Sequence, residues 1–210
     1  MHLEPLAFNA FLGGIGQLFS WRRAFACPCL SPTSGSPQPN CPICAGKGRT
    51  WTDAVQGDAG IAGAKVQREW AMMGMWEQGD VVLTLPSDSA LYPMGQYDRV
   101  AMMNSSSPFS QTMADSTKKL NFAVSEIDRI FWIAAGHLVE GGIPNVGTDG
   151  ALTWQAGQTP PPSGQQFSIT GRKVPEYFCF SDIAQDRAHQ HGSALPRRVV
   201  LRKFDLLGRK

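Results

Sequence analysis

Along most of this chain, apolar residues recur at every second position in short runs broken by glycine, proline and Asp-Gly pairs, which is the period of half-buried strands. Val81, Leu83 and Leu85 alternate with Val82 and Thr84 directly after the turn pair Gly79-Asp80, predicting a strand with one fully buried face. LYPMGQYDRVAMM predicts another strand after a glycine-containing turn. LNFAVSEIDRIFWIA predicts a third, in which the pattern of Asp98-Arg99-Val100 returns as Asp128-Arg129-Ile130. Between these two, SSSPFSQTMADST reads as a polar surface loop. HLVEGGIPNVGTDGALTWQAG carries Gly141-Gly142 and Asp149-Gly150, so it predicts short strands joined by hairpins. In QQFSITGRKVPEYFCFSD, Phe167 and Ile169 fall on one face, while Tyr177 and Cys179 oppose Phe178 and Phe180; VVLRKFDLL forms a last strand.

Helical signals are few. PLAFNAFLGGIGQLFS, residues 5–20, is apolar, but its paired glycines break a helical reading and leave an apolar N-terminal arm; a minor helix between Gly57 and Glu69 is the other candidate. The pattern predicts a mainly β fold, an antiparallel β-barrel or sandwich with extended N- and C-terminal arms. Its expected divisions are an arm over residues 1–26, a cysteine lobe over 27–51 and a β-rich core over 52–210 with a basic C-terminal segment.

Composition adds bounds. A chain of 210 residues that is 42% hydrophobic holds one large or two small domains with a real core. Nineteen basic against 17 acidic residues leave a charge of only +2, too little to advertise wholesale nucleic-acid binding. The excess gathers in LPRRVVLRKFDLLGRK at the C-terminus. No apolar stretch approaches the roughly 20 residues of a membrane span.

Four cysteines carry the main chemical signal. Cys41 and Cys44 in CPICAGKGRTW have the two-residue spacing that aims two thiolates at one ion from a tight turn, with Gly46 and Gly48 freeing the backbone to curl around the sulfurs. Cys27-Pro28-Cys29 has a one-residue spacer, which points the side chains apart unless the chain turns at Pro28. Between the pairs, LSPTSGSPQPN cannot pack a core and reads as a loop closed by the metal. The expectation is structural Zn2+ on Cys27, Cys29, Cys41 and Cys44; a disulfide pair and four merely buried thiols are the alternatives. MHLEPLAFNAFLGG lacks the basic start and continuous apolar run of a secretory signal, which favours the reduced form. Cys179, in EYFCF, reads as a small core residue.

Other chemistry is sparse. His189 and His191 mark a polar loop, and Asp98-Arg99 and Asp128-Arg129 read as surface pairs with neighbouring strands. The sequence contains no nucleophile elbow, phosphate-binding loop or His-Glu-x-x-His helix, and a four-thiolate site leaves no open metal position; no enzyme and no small-molecule substrate are expected.

The Cys-x-x-Cys-x-Gly-x-Gly element resembles the zinc repeats of DnaJ-type chaperones, but its single copy sets that family aside. A broader combination is more telling: Cys-Pro-Cys, Pro-x-Cys-Pro-x-Cys-x-Gly-x-Gly, the Gly-Asp strand followed by YDRV, and PEYFCF with LPRRVVLRKFDL. It resembles small structural proteins of tailed bacteriophages, from the neck, head-to-tail connector or tail junction, over residues 27–51, 79–100 and 174–207. The resemblance implies a non-enzymatic virion protein, made in the host cytoplasm, that forms a ring with itself between portal or adaptor and tail proteins. Genomic DNA would pass through its centre without sequence-specific binding. The segments least able to satisfy themselves within one domain supply the expected interfaces: Phe8 and Phe11 in the arm, Trp51 beside the lobe, and Arg197, Arg198, Arg202 and Lys203 near the C-terminus. The competing expectation is a zinc-ribbon nucleic-acid-binding protein, with Lys47, Arg49 and Trp51 on phosphate and base, although the same Trp51 is expected to pack against the metal loop.

Overall fold

Turn residues and alternating β-branched and aromatic positions divide the chain into many short strands, as a computed structural model shows for residues 4–15, 17–183, 188–190 and 192–207. In chain order these are α1 (Pro5–Ile15), β1 (Leu18–Arg22), β2 (Ala24–Ala26), β3 (Arg49–Trp51), β4 (Val55–Asp58), β5 (Gly60–Ile61), α2 (Ala64–Met72), β6 (Val81–Leu85) and β7 (Arg99–Met102). There follow β8 (Ser107–Met113), β9 (Val124–Ala134), β10 (His137–Glu140), β11 (Asn145–Val146), β12 (Leu152–Thr153) and β13 (Phe167–Lys173). The chain continues through β14 (Glu176–Ile183), β15 (His189–Gln190), β16 (Ser193–Ala194) and β17 (Arg197–Lys203) to a 3₁₀ turn at Phe204–Leu206.

Two compact units form. The first comprises Met1–Asn104 and Glu176–Lys210, the second Ser105–Pro175, so the expected single core over 52–210 is in fact interrupted by a separate unit. In the first, strands run β4-β1-β7-β14-β17-β6-β5, every pair antiparallel. Only Ala59 separates β4 from β5, so the segment 55–61 bonds β1 with its first half and β6 with its second, joining both edges of the sheet. The antiparallel expectation holds, and because the segment 55–61 bridges the two edges the sheet curls into a barrel-like form.

Each wall of this barrel sends residues inward: Phe19 and Trp21 from β1, Leu83 and Leu85 from β6, Val100 and Met102 from β7, Cys179 from β14, and Val199 and Leu201 from β17, with Ala59 between β4 and β5. Val82 and Val200 face the other way and are equally buried, because Trp70 of α2 lies over them with Phe180, Val66 and Ile183. Both faces of β6 are thus dry, where its alternation predicted one. The helix expected between Gly57 and Glu69 forms later, at Ala64–Met72.

The expected arms are corrected by the same sheet. Residues 5–15 are helical, Leu12 lies over Gly60, and Asn9 exchanges hydrogen bonds with Ser87. β1 sits between β4 and β7, and β17 between β14 and β6, so both strands are integral to the sheet. Burial of Phe19 and of Val199, Val200 and Leu201 outweighs the arm-like composition of these stretches.

The second unit is a four-stranded antiparallel sheet, β10-β9-β13-β8, over a core of Met113, Leu120, Ile127, Ile130, Trp132, Leu152, Phe167 and Ile169. β9 and β10 meet through Ala135 and Gly136, both at positive φ, as a two-residue hairpin requires. β11 and β12 add the small hairpin predicted at Asp149-Gly150. SSSPFSQTMADST is a correction: Ser107–Met113 is a strand, not a loop. It is the sheet's edge, which tolerates Pro108 and a polar outer face.

Candidate metal centre

The cysteine lobe hangs from a two-stranded ribbon. β2 and β3 pair as Ala24 with Trp51, Phe25 with Thr50 and Ala26 with Arg49, and the next hydrogen bond, Cys27 N–H to the Gly48 carbonyl at 2.9 Å, brings the two cysteine pairs to the ribbon's end. Leu30 N–H donates to the Cys27 carbonyl at 3.0 Å, closing the turn at Pro28 that the one-residue spacer requires. In the second half, Ala45 N–H donates to the Cys41 carbonyl, Lys47 N–H to the Cys44 carbonyl, and Gly48 N–H to Cys44 Sγ at 3.3 Å. Gly46, at φ +79°, passes so close to Pro39 that a Cβ would stand 2.8 Å from its carbonyl oxygen. Both the conformation and the space at that position require glycine.

All four sulfurs lie within 4.8 Å of one another. The Cys27–Cys41 and Cys29–Cys44 separations are 3.8 and 3.5 Å, and all four residues are free thiols. A tetrahedron with metal–sulfur bonds of about 2.3 Å has edges of about 3.8 Å, so the cluster fits a metal held by four thiolates. It is the only group of three or more potential metal ligands among the described residues. Backbone N–H groups of Cys44 and Ile43 draw the Cys41 thiol down to about 6. Against the pull of a hydrogen bond with the Gln38 backbone, burial and the neighbouring thiols push Cys29 up to about 12. Cys27, Cys41 and Cys44 are buried, and only Cys29 packs against them from the apolar side chains nearby.

The base of the ribbon is fixed by a residue whose role the sequence reading missed. Asp98, expected to pair at the surface, is buried; its carboxylate accepts from Trp21 Nε1 at 2.7 Å, Ala24 N–H at 2.7 Å and Gly95 N–H at 2.8 Å. It joins the barrel interior, the start of β2 and the turn before β7. The Gly95-x-x-Asp98 spacing of a side-chain-closed turn was the available signal. Arg99 does pair with the adjacent strand, through Glu176 at 2.6 Å, and Arg129 pairs with Glu140 across β9 and β10.

Trp51 packs edge-on against Phe204 at 5.2 Å and donates its indole N–H to the Tyr97 carbonyl, so its partner is the C-terminal 3₁₀ turn and not the metal loop. Lys47 and Arg99 lie over Phe204, and Arg49 over Tyr97. Phe204→Ala is expected to lower the opening free energy of the ribbon by about 1–2 kcal/mol, through lost aromatic and cation–π contact. Hydrogen exchange across Ala24–Trp51 measures it, and unchanged protection there would refute the clamp.

The remaining expected residues are scattered. Phe8 is half-buried and Phe11 exposed on α1. Arg197 donates to the Tyr92 and Met94 carbonyls and to Asp182 at 2.6 Å, while Arg202 holds Asp80 at 2.9–3.0 Å and lies over Phe180. These two arginines are internal clamps and not the free interface cations expected; Arg198 and Lys203 are exposed. Burial, with the Asp182 and Asp98 carboxylates, pushes Cys179 up to about 12, as befits an inert core thiol. His189 lies on β15, exposed, and His191 lies outside the described residues.

Fold and site together define the class: a mainly antiparallel β protein carrying a four-cysteine cluster compatible with a metal. No protein-family model matches the chain, and no curated protein matches it. No helix among the described residues is long and apolar enough to cross a membrane.

Proposed function

We propose that this protein is a non-enzymatic structural component of a tailed-phage virion, a neck, head-to-tail connector or tail-junction protein that assembles as a ring between portal and tail, with Zn2+ as a structural staple. The observation that carries this reading is the arrangement of Cys27, Cys29, Cys41 and Cys44: four sulfurs at tetrahedral separations complete a metal's coordination and leave no position for substrate. The cysteine element is also the most distinctive part of the phage resemblance. Bound zinc would order a Pro-, Ser- and Gly-rich loop with too little apolar surface to order itself, holding a firm docking surface at the ribbon's end. Ring neighbours, portal or adaptor proteins and tail proteins are the partners of this reading, and the virion is its location.

The competing reading, a zinc-ribbon nucleic-acid binder, needs Lys47, Arg49 and Trp51 free for phosphate and base. Each already has an aromatic partner within its own unit. Elemental analysis of the purified full chain is expected to give one zinc per chain, and cryo-electron microscopy of particles to place the barrel between portal and tail. Mature particles without the protein would overturn the virion assignment. DNA affinity falling steeply between low and physiological salt would move the assignment to the nucleic-acid reader.

A further inference from the structure

Two apolar patches on the barrel unit have no partner among the described residues. α1 contains no charged residue and exposes Phe11 and Ile15 on one face. At the end of α2, Met72, Met73, Met75 and Trp76 are exposed together. These six side chains are between 39% and 83% exposed. They present on the order of 700 Å² of apolar surface in total, the lower end of the apolar share of a standard protein–protein interface.

Their anchors separate them. α1 is tied to the late end of β6, by Asn9 to Ser87 and by Leu12 over Gly60, which pairs with Thr84. The methionine surface is tied to the early end, since Trp70 and the Glu77 N–H both donate to Asp80, and Arg202 donates to the Met75 carbonyl. The length of β6 places these anchors about 15 Å apart. Each patch therefore faces outward at its own end of the strand.

We infer that α1 of one copy docks on the Met72–Trp76 surface of the next copy, a head-to-tail contact that specifies the self-association on which the ring reading rests. The occupant follows from the shapes. Phe8, Phe11 and Ile15 have the i, i+3, i+7 spacing by which an amphipathic helix enters a groove, and unbranched methionines around Trp76 form a surface that adapts to such a helix. Because the two patches differ and lie at opposite ends of β6, the contact is heterologous, and repeating it gives a ring where the rotation between copies closes, not a twofold dimer.

The test uses the full chain with either Phe11→Asp or Met72→Asp, examined by light scattering and native mass spectrometry. Wild type is expected as a closed oligomer, and each variant alone as a monomer with unchanged circular dichroism and metal content. An equimolar mixture of the variants is expected to give a one-to-one dimer, since it restores a single intact pair: α1 of the Met72→Asp chain on the methionine surface of the Phe11→Asp chain. If Phe11→Asp fails to fold, Ile15→Asp, exposed on the same face of α1, takes its place. Variants that assemble like wild type would overturn this contact and leave the ring reading standing, and a mixture that stays monomeric would overturn the pairing. A wild type that is monomeric at every accessible concentration would overturn self-association, leaving the virion assignment to particle imaging.

Discussion

Cys41→Ser is expected to abolish metal retention and unfold the segment between Cys27 and Gly48 while the barrel persists. A serine hydroxyl is a poor substitute for a thiolate, and the lobe's buried interior consists of the cysteines themselves, so nothing else gathers its loop. The barrel core contains none of residues 27–48. Its thermal transition should therefore move only a few degrees. Proteolysis at Lys47 and Arg49 should accelerate by orders of magnitude, and metal per chain should fall from one to near zero against a competing chelator. Acid should mimic the variant, because protons compete with metal for every thiolate. Metal binding displaces protons from the thiols, so retention against a fixed chelator is expected to fall steadily as pH is lowered. A Cys41→Ser protein that kept its metal and its protease resistance would remove the basis for the structural reading.

Asp80→Ala is expected to cost about 3–5 kcal/mol in barrel stability, because it orphans a buried cation. The Asp80 side chain is fully buried and that of Arg202 is 13% exposed. The carboxylate also accepts hydrogen bonds from the buried Trp70 Nε1 and the part-buried Glu77 N–H, so its removal leaves these donors, with the Arg202 guanidinium, short of a partner. For typical urea dependences this lowers the unfolding midpoint by about 2 M. Asp80→Ala combined with Arg202→Met should recover part of the loss, since removing both charges is less damaging than stranding one. A single variant within about 0.5 kcal/mol of wild type would show that the pair does not stabilise the barrel, far outside the range for a broken buried ion pair.

Much of this architecture is legible as a pattern. The alternation of Phe167 and Ile169 and of Tyr177–Phe180 matches the faces these strands bury, that of Val81–Leu85 marks the inner of the two faces β6 buries, and the cysteine spacing anticipates both the cluster and the turn at Pro28. Tertiary context hid the rest. Nothing local distinguishes an apolar arm from α1 followed by a strand threaded between β4 and β7, because the decisive burial of Phe19 comes from residues distant in sequence. β8 was concealed by its polar outer positions and by Pro108, which a strand tolerates at a sheet edge. Arg197 and Arg202 looked like a solvated basic tail, since the carbonyls and acids that hold them are more than a dozen residues away along the chain. The same reason masked Asp98, whose three donors come from separate segments.

The excursion between β7 and β14 has a bearing on how the molecule reaches its native state. These strands are neighbours in the barrel, yet the whole of Ser105–Pro175 intervenes. That segment pairs Ser107 with Lys173, so once folded it delivers its own ends side by side, and Ala101 can meet Glu176 as though across a short turn. An effective tenfold shortening of the connection reduces the entropy of closing it by about 2 kcal/mol. The connectivity thereby favours folding of the insert before β7 and β14 pair, because the folded insert lowers the entropy cost of bringing them together.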